Sequence, residues 1–304
     1  MSIVKKIQHN TLLLITILGL FVTASSALAQ VNPQAPQAPL IITTIKPLAI
    51  IAKAAVADKA QVEFLQSAAQ SAHEVSLPVS AMKKIEQADL IIWIGDGFEA
   101  RIGKSMALVP EAKRITVMDL DLLPARLEEE KLKDEKHHTD DDHHNHLGFD
   151  PHIWLNPANA NILASIIQQR LGLPVSPIIS DALVQQLKSE LSPVKNKNYL
   201  THHDAFGHFK TAFDLAEGPS VRDANGASQG ARSQYELRKK AQVISASCIF
   251  VEPQYADKDA RIIARELNLP LTVLDPQGFD QPLGAEGYSQ FMIGMVAQFK
   301  ACFD

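Results

Sequence analysis

Short runs of apolar residues alternate along the chain with longer segments whose apolar residues recur at helical spacing. Apolar runs of strand length bounded by polar residues predict buried β-strands, and the segments between them predict helices. The predicted strands are 40–45, 62–65, 90–94, 115–118, 199–201, 248–251 and 271–274. Such alternation is typical of parallel sheets covered by helices. The pattern therefore predicts an α/β fold with a parallel-sheet lobe in each half of the chain.

Some predicted helices begin at a residue that favours a helix start, because proline loses no hydrogen bond there and Asn or Ser can cap free N–H groups. These residues are Pro47, Ser80, Asn156 and Ser180. The predicted helices are 47–57, 80–88, 157–172, 180–191, one from Asp204, 232–246, 257–268 and 288–303. The helices within 157–194 lie between the strand-rich halves and predict a helical connector.

The ends of the chain extend this domain organisation. Lys5 and Lys6 precede a short apolar run, and small residues at 27–29 resemble a cleavage site, so residues 1–29 predict a secretory signal peptide. A membrane anchor is the alternative, but the run is shorter than the roughly 20 residues of a spanning helix. Proline-rich residues 30–39 predict a flexible lead-in. The remaining parts are an N-terminal lobe 40–156, the connector 157–194 and a C-terminal lobe 195–304.

The 304 residues carry a formal net charge of −5 and no basic stripe. This argues against nucleic acid and anionic membranes as partners, because both attract clustered Lys and Arg. We expect an exported monomer with a small ligand. Its two cysteines, Cys248 and Cys302, would meet an oxidising compartment, which favours a disulfide between them. A zinc–thiolate site is the alternative, although no CxxC spacing is present.

A polar tract contains five of the eleven histidines. Its metal-binding residue types are His137, His138, Asp140, Asp141, Asp142, His143, His144 and His146. Imidazole and carboxylate together suit zinc, and so polar a run cannot form an apolar core. We interpret the loop 136–148 as a solvated, low-affinity zinc-gathering site. A polar linker that happens to contain histidine is the simpler alternative.

Three further histidines, His73, His152 and His203, lie after predicted strands or before a capped helix. Ligands of open parallel sheets bind beyond the carboxyl ends of strands, so two facing lobes would bring these rings to one ion. Asp275 directly follows a predicted strand and completes a tetrahedral set suited to zinc. A turn starting at Asp275, with water as the fourth ligand, is the alternative. Outside the predicted signal peptide, the remaining pair is His202 and His208. We interpret them as a bystander and a helix-surface residue, with a part in a second metal site as the alternative.

Other patterns point to enzymes. Gly95–Ala100 matches a dinucleotide-binding loop, but Asp96 and Glu99 would repel a pyrophosphate. Gly226–Gly230 matches a serine nucleophile elbow, but residues 217–225 predict a loop where that motif requires a strand. Three histidines and water also suit a zinc hydrolase, although no HExxH motif is present. We therefore expect a binding protein and not an enzyme, with an exported zinc-dependent hydrolase as the alternative.

Short motifs follow one another along nearly the whole mature chain: Ile45–Leu48, Ala72–Glu74 with Leu77, Ala88–Gly95 with Glu99, Asp150–Leu155, His203–Gly207, Cys248–Gln254 and Leu274–Pro276. Their content and order resemble ZnuA-type proteins, the periplasmic zinc-binding components of bacterial high-affinity zinc ABC importers. The resemblance implies two α/β lobes joined by a rigid long helix, and one zinc ion in the cleft between them. It also implies His73, His152 and His203 as ligands, and delivery to a membrane permease.

The chain also departs from that family's pattern. Residues 65–71 and 77–80 differ from the usual loop around the first histidine. Ala72 stands where some members carry a glutamate, which leaves Asp275 or water as the fourth ligand. A manganese-specific relative is the alternative within the family, but such relatives replace a histidine with a carboxylate, and His203 favours zinc.

Overall fold

The structure is a computed structural model of the chain and describes residues 38–67, 72–75, 77–123, 150–224 and 226–304. The predicted signal peptide, most of the predicted lead-in and the whole His-rich loop 136–148 lie outside the described residues. Among the helices of the described ranges, none combines the length and the apolar character needed to cross a membrane.

Parallel strands form the sheet of the first half, in the order β2-β1-β3-β4. The strands are β1 Leu40–Thr43, β2 Gln61–Phe64, β3 Leu90–Trp93 and β4 Arg114–Thr116. The helices of this half are α1 Lys46–Val56, α2 Val79–Gln87 and α3 Gly103–Ala107. Every residue of β3 is buried, because a central parallel strand is covered on both faces. This explains its unbroken apolar sequence.

The second half repeats the same arrangement in the order β6-β5-β7-β8, again with parallel strands. The strands are β5 Leu200–His203, β6 Ser220–Arg222, β7 Ile249–Val251 and β8 Leu271–Val273. The helices from the middle of the chain onward are α4 Pro157–Arg170, α5 Asp181–Leu191, α6 Gly207–Phe213, α7 Ala231–Val243, α8 Lys258–Leu267 and α9 Gly287–Lys300. The predicted α/β class with two parallel-sheet lobes is confirmed.

Strand β6 differs from the prediction, since the sequence pattern favours a loop over 217–225. Only Val221 of this strand is buried, and β6 pairs with one neighbour, β5, at the edge of the sheet. A strand this short with a single buried side chain has no apolar pattern of its own. Its pairing is decided by the neighbouring strand.

Two of the three predicted N-caps are confirmed. The side chains of Asn156 and Ser180 accept hydrogen bonds from backbone N–H groups in the first turns of α4 and α5, at 2.9 and 3.2 Å. The prediction of Ser80 as a cap is wrong: α2 begins at residue 79, and Pro78 occupies the N-cap position without a side-chain cap bond.

The connector range 157–194 contains two helices, α4 and α5, and not a single long one. A rigid connector remains a prediction, as do the domain boundaries.

Helix α9 joins the two halves. The Tyr288 hydroxyl donates to the Trp154 carbonyl at 2.8 Å, and the Ser289 hydroxyl donates to the Ile178 carbonyl at 3.1 Å. The Trp154 indole N–H donates in turn to the Pro276 carbonyl at 2.8 Å. Buried apolar residues of both halves accordingly form one continuous core, and a smaller core lies between α7, α8 and the strands beneath them.

Cys248 and Cys302 form a disulfide that links the residue before β7 to the turn after α9. This confirms the predicted pairing. It excludes the zinc–thiolate alternative, because both sulfur atoms are used in the bond.

Candidate metal site

Three histidines from separate parts of the chain converge in the described structure. His73 lies in a 3₁₀ turn that follows β2, His152 directly precedes another 3₁₀ turn before α4, and His203 is the last residue of β5. One ring nitrogen of each histidine lies within 4.8 Å of the other two. A tetrahedral zinc ion bound at about 2.1 Å holds its nitrogen ligands about 3.4 Å apart. The three rings therefore need little movement to share one ion.

Aromatic side chains enclose this cluster. His152 and His203 are each 2% exposed. The Phe98 ring centroid lies 4.2 Å from that of His73, and the Trp154 ring lies 5.2 Å from that of His152. Such surroundings keep bulk water from the rings of His152 and His203, so an ion that enters would exchange hydration water for imidazole nitrogen.

Asp150 orients the ring of His152. Its Oδ1 atom accepts from the backbone N–H of His152 at 2.9 Å and lies 2.7 Å from Nδ1 of the same residue. Burial opposes the charged carboxylate, but the His152 ring and its hydrogen bonds outweigh burial and lower the pKa of Asp150 to about 2. Because Nδ1 faces this carboxylate, Nε2 of His152 is the nitrogen available for a metal.

Glu252 has the same relation to His203. The Glu252 carboxylate follows β7, is 3% exposed and places Oε1 3.1 Å from Nδ1 of His203. The other ring nitrogen, Nε2, lies 3.1 Å from the carbonyl oxygen of Ala224. Burial lowers the pKa of His203, but Glu252 and this carbonyl outweigh burial, so the pKa is raised overall.

His73 has the opposite electrostatic environment. Burial, followed by repulsion from the rings of His152 and His203, holds the pKa of His73 well below its ordinary value of 6.5. The ring is therefore neutral at pH 7, which is the form that binds metal.

Asp275 lies in a separate set of hydrogen bonds. Its Oδ1 accepts from the Gln254 side chain at 2.7 Å and from the Gln277 N–H at 3.0 Å, while Oδ2 accepts from the Phe279 N–H at 2.9 Å. Within the described ranges, the residues grouped closely enough to hold a metal are the three histidines. A role for Asp275 as fourth ligand remains a prediction. The observed bonds fit the alternative, a turn that starts at this residue.

The remaining histidines of the described chain, His202 and His208, are both buried, at 0% and 2% exposed. Nε2 of His208 lies 2.9 Å from the carbonyl oxygen of Asp150, and burial lowers the pKa of His208. The prediction of a surface position for His208 is therefore wrong. Helix α6 turns this face toward the loop that carries His152. The histidines and aspartates predicted as the secondary loop, 137–146, lie outside the described residues.

Sequence reasoning missed the roles of Asp150, Glu252 and Phe98. A signal existed for the two carboxylates, because Asp150 stands two residues before His152 and Glu252 directly follows a buried strand. Phe98 contacts His73 across 25 positions of sequence, and no local pattern indicates such a contact.

Neither glycine-rich pattern has the structure that its enzyme function requires. The residues after Gly95 form turns, and α3 begins only at Gly103. Glu99 is buried and accepts a hydrogen bond from the Ile94 N–H at 2.7 Å, so it faces the protein interior and no phosphate. Ser228 pairs with β6 through an isolated bridge and is not part of a strand–turn–helix elbow.

Comparison with known proteins adds to this geometry. The family model "ZnuA: Zinc-uptake complex component A periplasmic" matches residues 41–173 and 180–302. The high-affinity zinc uptake system protein ZnuA of Yersinia pestis is 30% identical in an alignment of 305 positions that covers 91% of this chain and 95% of that protein. The protein of the same name from Haemophilus ducreyi is 28% identical in an alignment of 286 positions that covers 86% of this chain and 92% of that protein.

Solved structures share the fold. A crystal structure of ZnuA matches with a TM-score of 0.69 at 19% identity and covers 88% of this chain and 100% of that chain. The laminin-binding protein of Streptococcus agalactiae matches with a TM-score of 0.68 at 20% identity, with the same coverage of 88% and 100%. At these identities the likeness establishes the two-lobe fold alone.

The segments matched by the family model contain His73, His152 and His203 and both parallel sheets. The Yersinia relative extends the match over nearly the whole chain. The chain therefore belongs to the ZnuA family of periplasmic zinc-uptake components and is, as predicted, a transport binding protein and not an enzyme.

Proposed function

We propose that the protein captures Zn²⁺ in the periplasm and delivers it to the membrane permease of an ABC importer. The observation that carries this proposal is the convergence of three imidazoles, two of them buried and oriented by carboxylates, in a member of a zinc-uptake family. Imidazole nitrogen is a preferred zinc ligand. The ion is bound and released without chemical change.

The proposed ligands are Nε2 of His152, Nε2 of His203 and one ring nitrogen of His73. The carboxylates behind the first two rings fix their orientation, as in other metal sites with carboxylate-bound histidines. Water is the proposed fourth ligand, because both oxygens of Asp275 accept hydrogen bonds within their own turn. An exchangeable fourth position suits a carrier, since a receiving ligand can enter there.

Zinc affinity, measured by competition with a zinc chelator, tests this assignment. His203→Ala should lose tight binding, because it removes a ligand. Asp150→Asn should bind about 10- to 100-fold more weakly, because it loosens the His152 ring without removing a ligand. Deletion of residues 137–146 serves as the control and should keep the tight site. Absence of tight binding in the wild type, or its loss in the deletion variant, would contradict the proposed ligands.

Two alternatives are tested by the same preparations. A Mn-bound periplasmic metal-binding protein from Candidatus Liberibacter asiaticus shares the fold with a TM-score of 0.67. Three imidazoles favour zinc over manganese, so zinc should displace manganese from this protein. A zinc hydrolase would instead turn over esters, amides or phosphates when loaded with zinc, whereas the proposed carrier leaves them intact.

The remaining parts of the proposal concern location and partners. The predicted signal peptide 1–29 directs the chain to the periplasm, and the His-rich loop 136–148 gathers zinc at low affinity near the main site. The protein acts as a monomer with the permease as its protein partner and does not bind nucleic acid. Size-exclusion chromatography with light scattering measures the monomer directly.

A further inference from the structure

The carbonyl oxygen of Ala224 lies where an ion would approach His203. Glu252 faces Nδ1 of that ring, so Nε2 is the nitrogen left for zinc, and the Ala224 oxygen lies 3.1 Å from Nε2 as a hydrogen-bond acceptor. A zinc ion at about 2.0–2.1 Å from Nε2 would lie on the same side of the ring. The ion and the carbonyl therefore compete for one position.

Arg222 holds the backbone beside this carbonyl. Its Nη1 donates to the Gly226 carbonyl at 2.9 Å, and its Nε donates to Oδ2 of Asp259 at 2.8 Å. The other carboxylate oxygen of Asp259 lies 2.8 Å from Nε2 of His202, which is fully buried. The backbone around Ala224 is thus anchored to the lobe through an ion pair that ends on a buried histidine.

Tyr255 fits closely against the same backbone. Its ring centroid lies 5.3 Å from that of His203, and a Cβ atom added at Gly226 would lie 2.8 Å from its hydroxyl oxygen. Gly226 also has a φ of +76°, which side-chain-bearing residues adopt rarely. Any larger residue at position 226 would therefore push this backbone away from Tyr255 and displace the neighbouring Ala224 carbonyl.

We propose that the Ala224 carbonyl is a built-in competitor of zinc. In the zinc-free protein it accepts a hydrogen bond from Nε2–H of His203. When the ion binds Nε2, the carbonyl moves away and the proton passes to solvent, and both return as the ion departs. This inference rests on the proposed function. Arg222 is then a positioning residue, because it sets the fraction of molecules in which Nε2 is covered. The apparent zinc affinity is reduced in proportion to the fraction that is competent to bind.

Two substitutions loosen the carbonyl by different means. Arg222→Met keeps an apolar stem but removes the hydrogen bonds of the guanidinium to Gly226, Asp259 and His202. Gly226→Ala displaces the backbone without changing charge. Arg238→Met is the matched control. Arg238 also donates to a carboxylate, Glu266 at 2.6 Å, and to a carbonyl within its own helix at 2.8 Å, but it lies on α7 outside the histidine cluster.

Three measurements on the full chain separate competition from general loss of structure: zinc affinity by chelator competition, zinc release by stopped flow, and urea unfolding of the zinc-free protein. Arg222→Met and Gly226→Ala should bind zinc about two- to tenfold more tightly than the wild type, since the ion no longer displaces an ordinary hydrogen bond. Release should slow, while the zinc-free variants become less stable. Arg238→Met should lose stability with unchanged zinc binding.

The opposite signs of the two effects are decisive, because a merely structural role of Arg222 would weaken both stability and zinc binding. Zinc affinity equal to or below that of the wild type in both variants overturns the competitor role and makes this backbone a support of the site. If the wild-type chain does not bind zinc at all, the proposed function itself is wrong. Failure of the competitor role and failure of the proposed function are therefore distinguishable.

Discussion

Asp150 and Glu252 each use their carboxylate to hold one imidazole ring. Both lie within hydrogen-bond distance of Nδ1 of a histidine, so the ring cannot rotate freely and Nε2 is left for an ion. His73 is positioned differently, by contact with the ring of Phe98. Hydrogen bonds to carboxylates therefore orient the rings of His152 and His203, and packing against Phe98 positions the ring of His73.

Glu99 is a further buried carboxyl group, outside the histidine cluster and 1% exposed. Burial raises its pKa from the ordinary value of 4.5 to about 7, although the hydrogen bond from the Ile94 N–H opposes this. Between pH 4.5 and about pH 7, Glu99 keeps its proton in the folded protein but loses it in the unfolded chain. The free energy of unfolding therefore falls as pH rises through this window, by about 3 kcal/mol at most from this group.

Glu99→Gln should remove this dependence, because the amide stays neutral at every pH. Relative to the wild type, the variant should gain up to about 3 kcal/mol of stability between pH 4.5 and pH 7.5. Urea unfolding of the zinc-free proteins at both pH values measures the gain. Glu86→Gln, an exposed site on α2, should show none. A stability difference between Glu99→Gln and the wild type that is the same at both pH values would contradict a raised pKa.

Among the elements, β3, α4 and α5 were predictable because their signals are local. An unbroken apolar run indicates a buried central strand, and Asn156 and Ser180 mark helix starts through their own side chains. Strand β6 and the start of α2 were not, since β6 depends on pairing with β5 and α2 begins beside Pro78 without a side-chain cap. A local pattern cannot report a partner that is distant in sequence.

Asn156→Ala should destabilise the protein by about 1 kcal/mol, because a free N–H in the first turn of α4 loses its acceptor. Asn156→Ser keeps an acceptor oxygen at the cap and should recover most of the loss. Urea unfolding of the zinc-free proteins measures both. Equal stability of the Ala and Ser variants would mean that the side-chain cap contributes nothing.

The whole molecule is held together by links between distant parts of the chain. Helix α9 packs against α1 of the first half. Its hydroxyl groups from Tyr288 and Ser289 donate to the carbonyls of Trp154 and of Ile178, which lies in the connector range. The disulfide ties the end of this helix to β7, across 54 residues. The two halves therefore share one core, which is the condition for histidines from both halves to meet.

Reduction of the disulfide should lower the free energy of unfolding by roughly 4 kcal/mol, because the unfolded chain regains the entropy of a long open loop. Urea unfolding with and without a thiol reductant measures the change. The double variant Cys248→Ala with Cys302→Ala is the control, since reductant should leave it unaffected. A wild-type protein whose stability does not respond to reductant would contradict the expected contribution.

The sequence by itself determined the α/β class, the positions of most strands and helices, the cysteine pair and the three histidines proposed as ligands. Those features depend on apolar periodicity, capping residues and residue types, and each of these signals lies within a short stretch of sequence. Only the tertiary structure decided which groups surround each ring. It placed Asp150 and Glu252 behind two histidines, Ala224 in front of one, and Asp275 in a turn of its own. These contacts depend on how two sheets and their loops pack across long stretches of chain, and such distances have no signature in a local pattern.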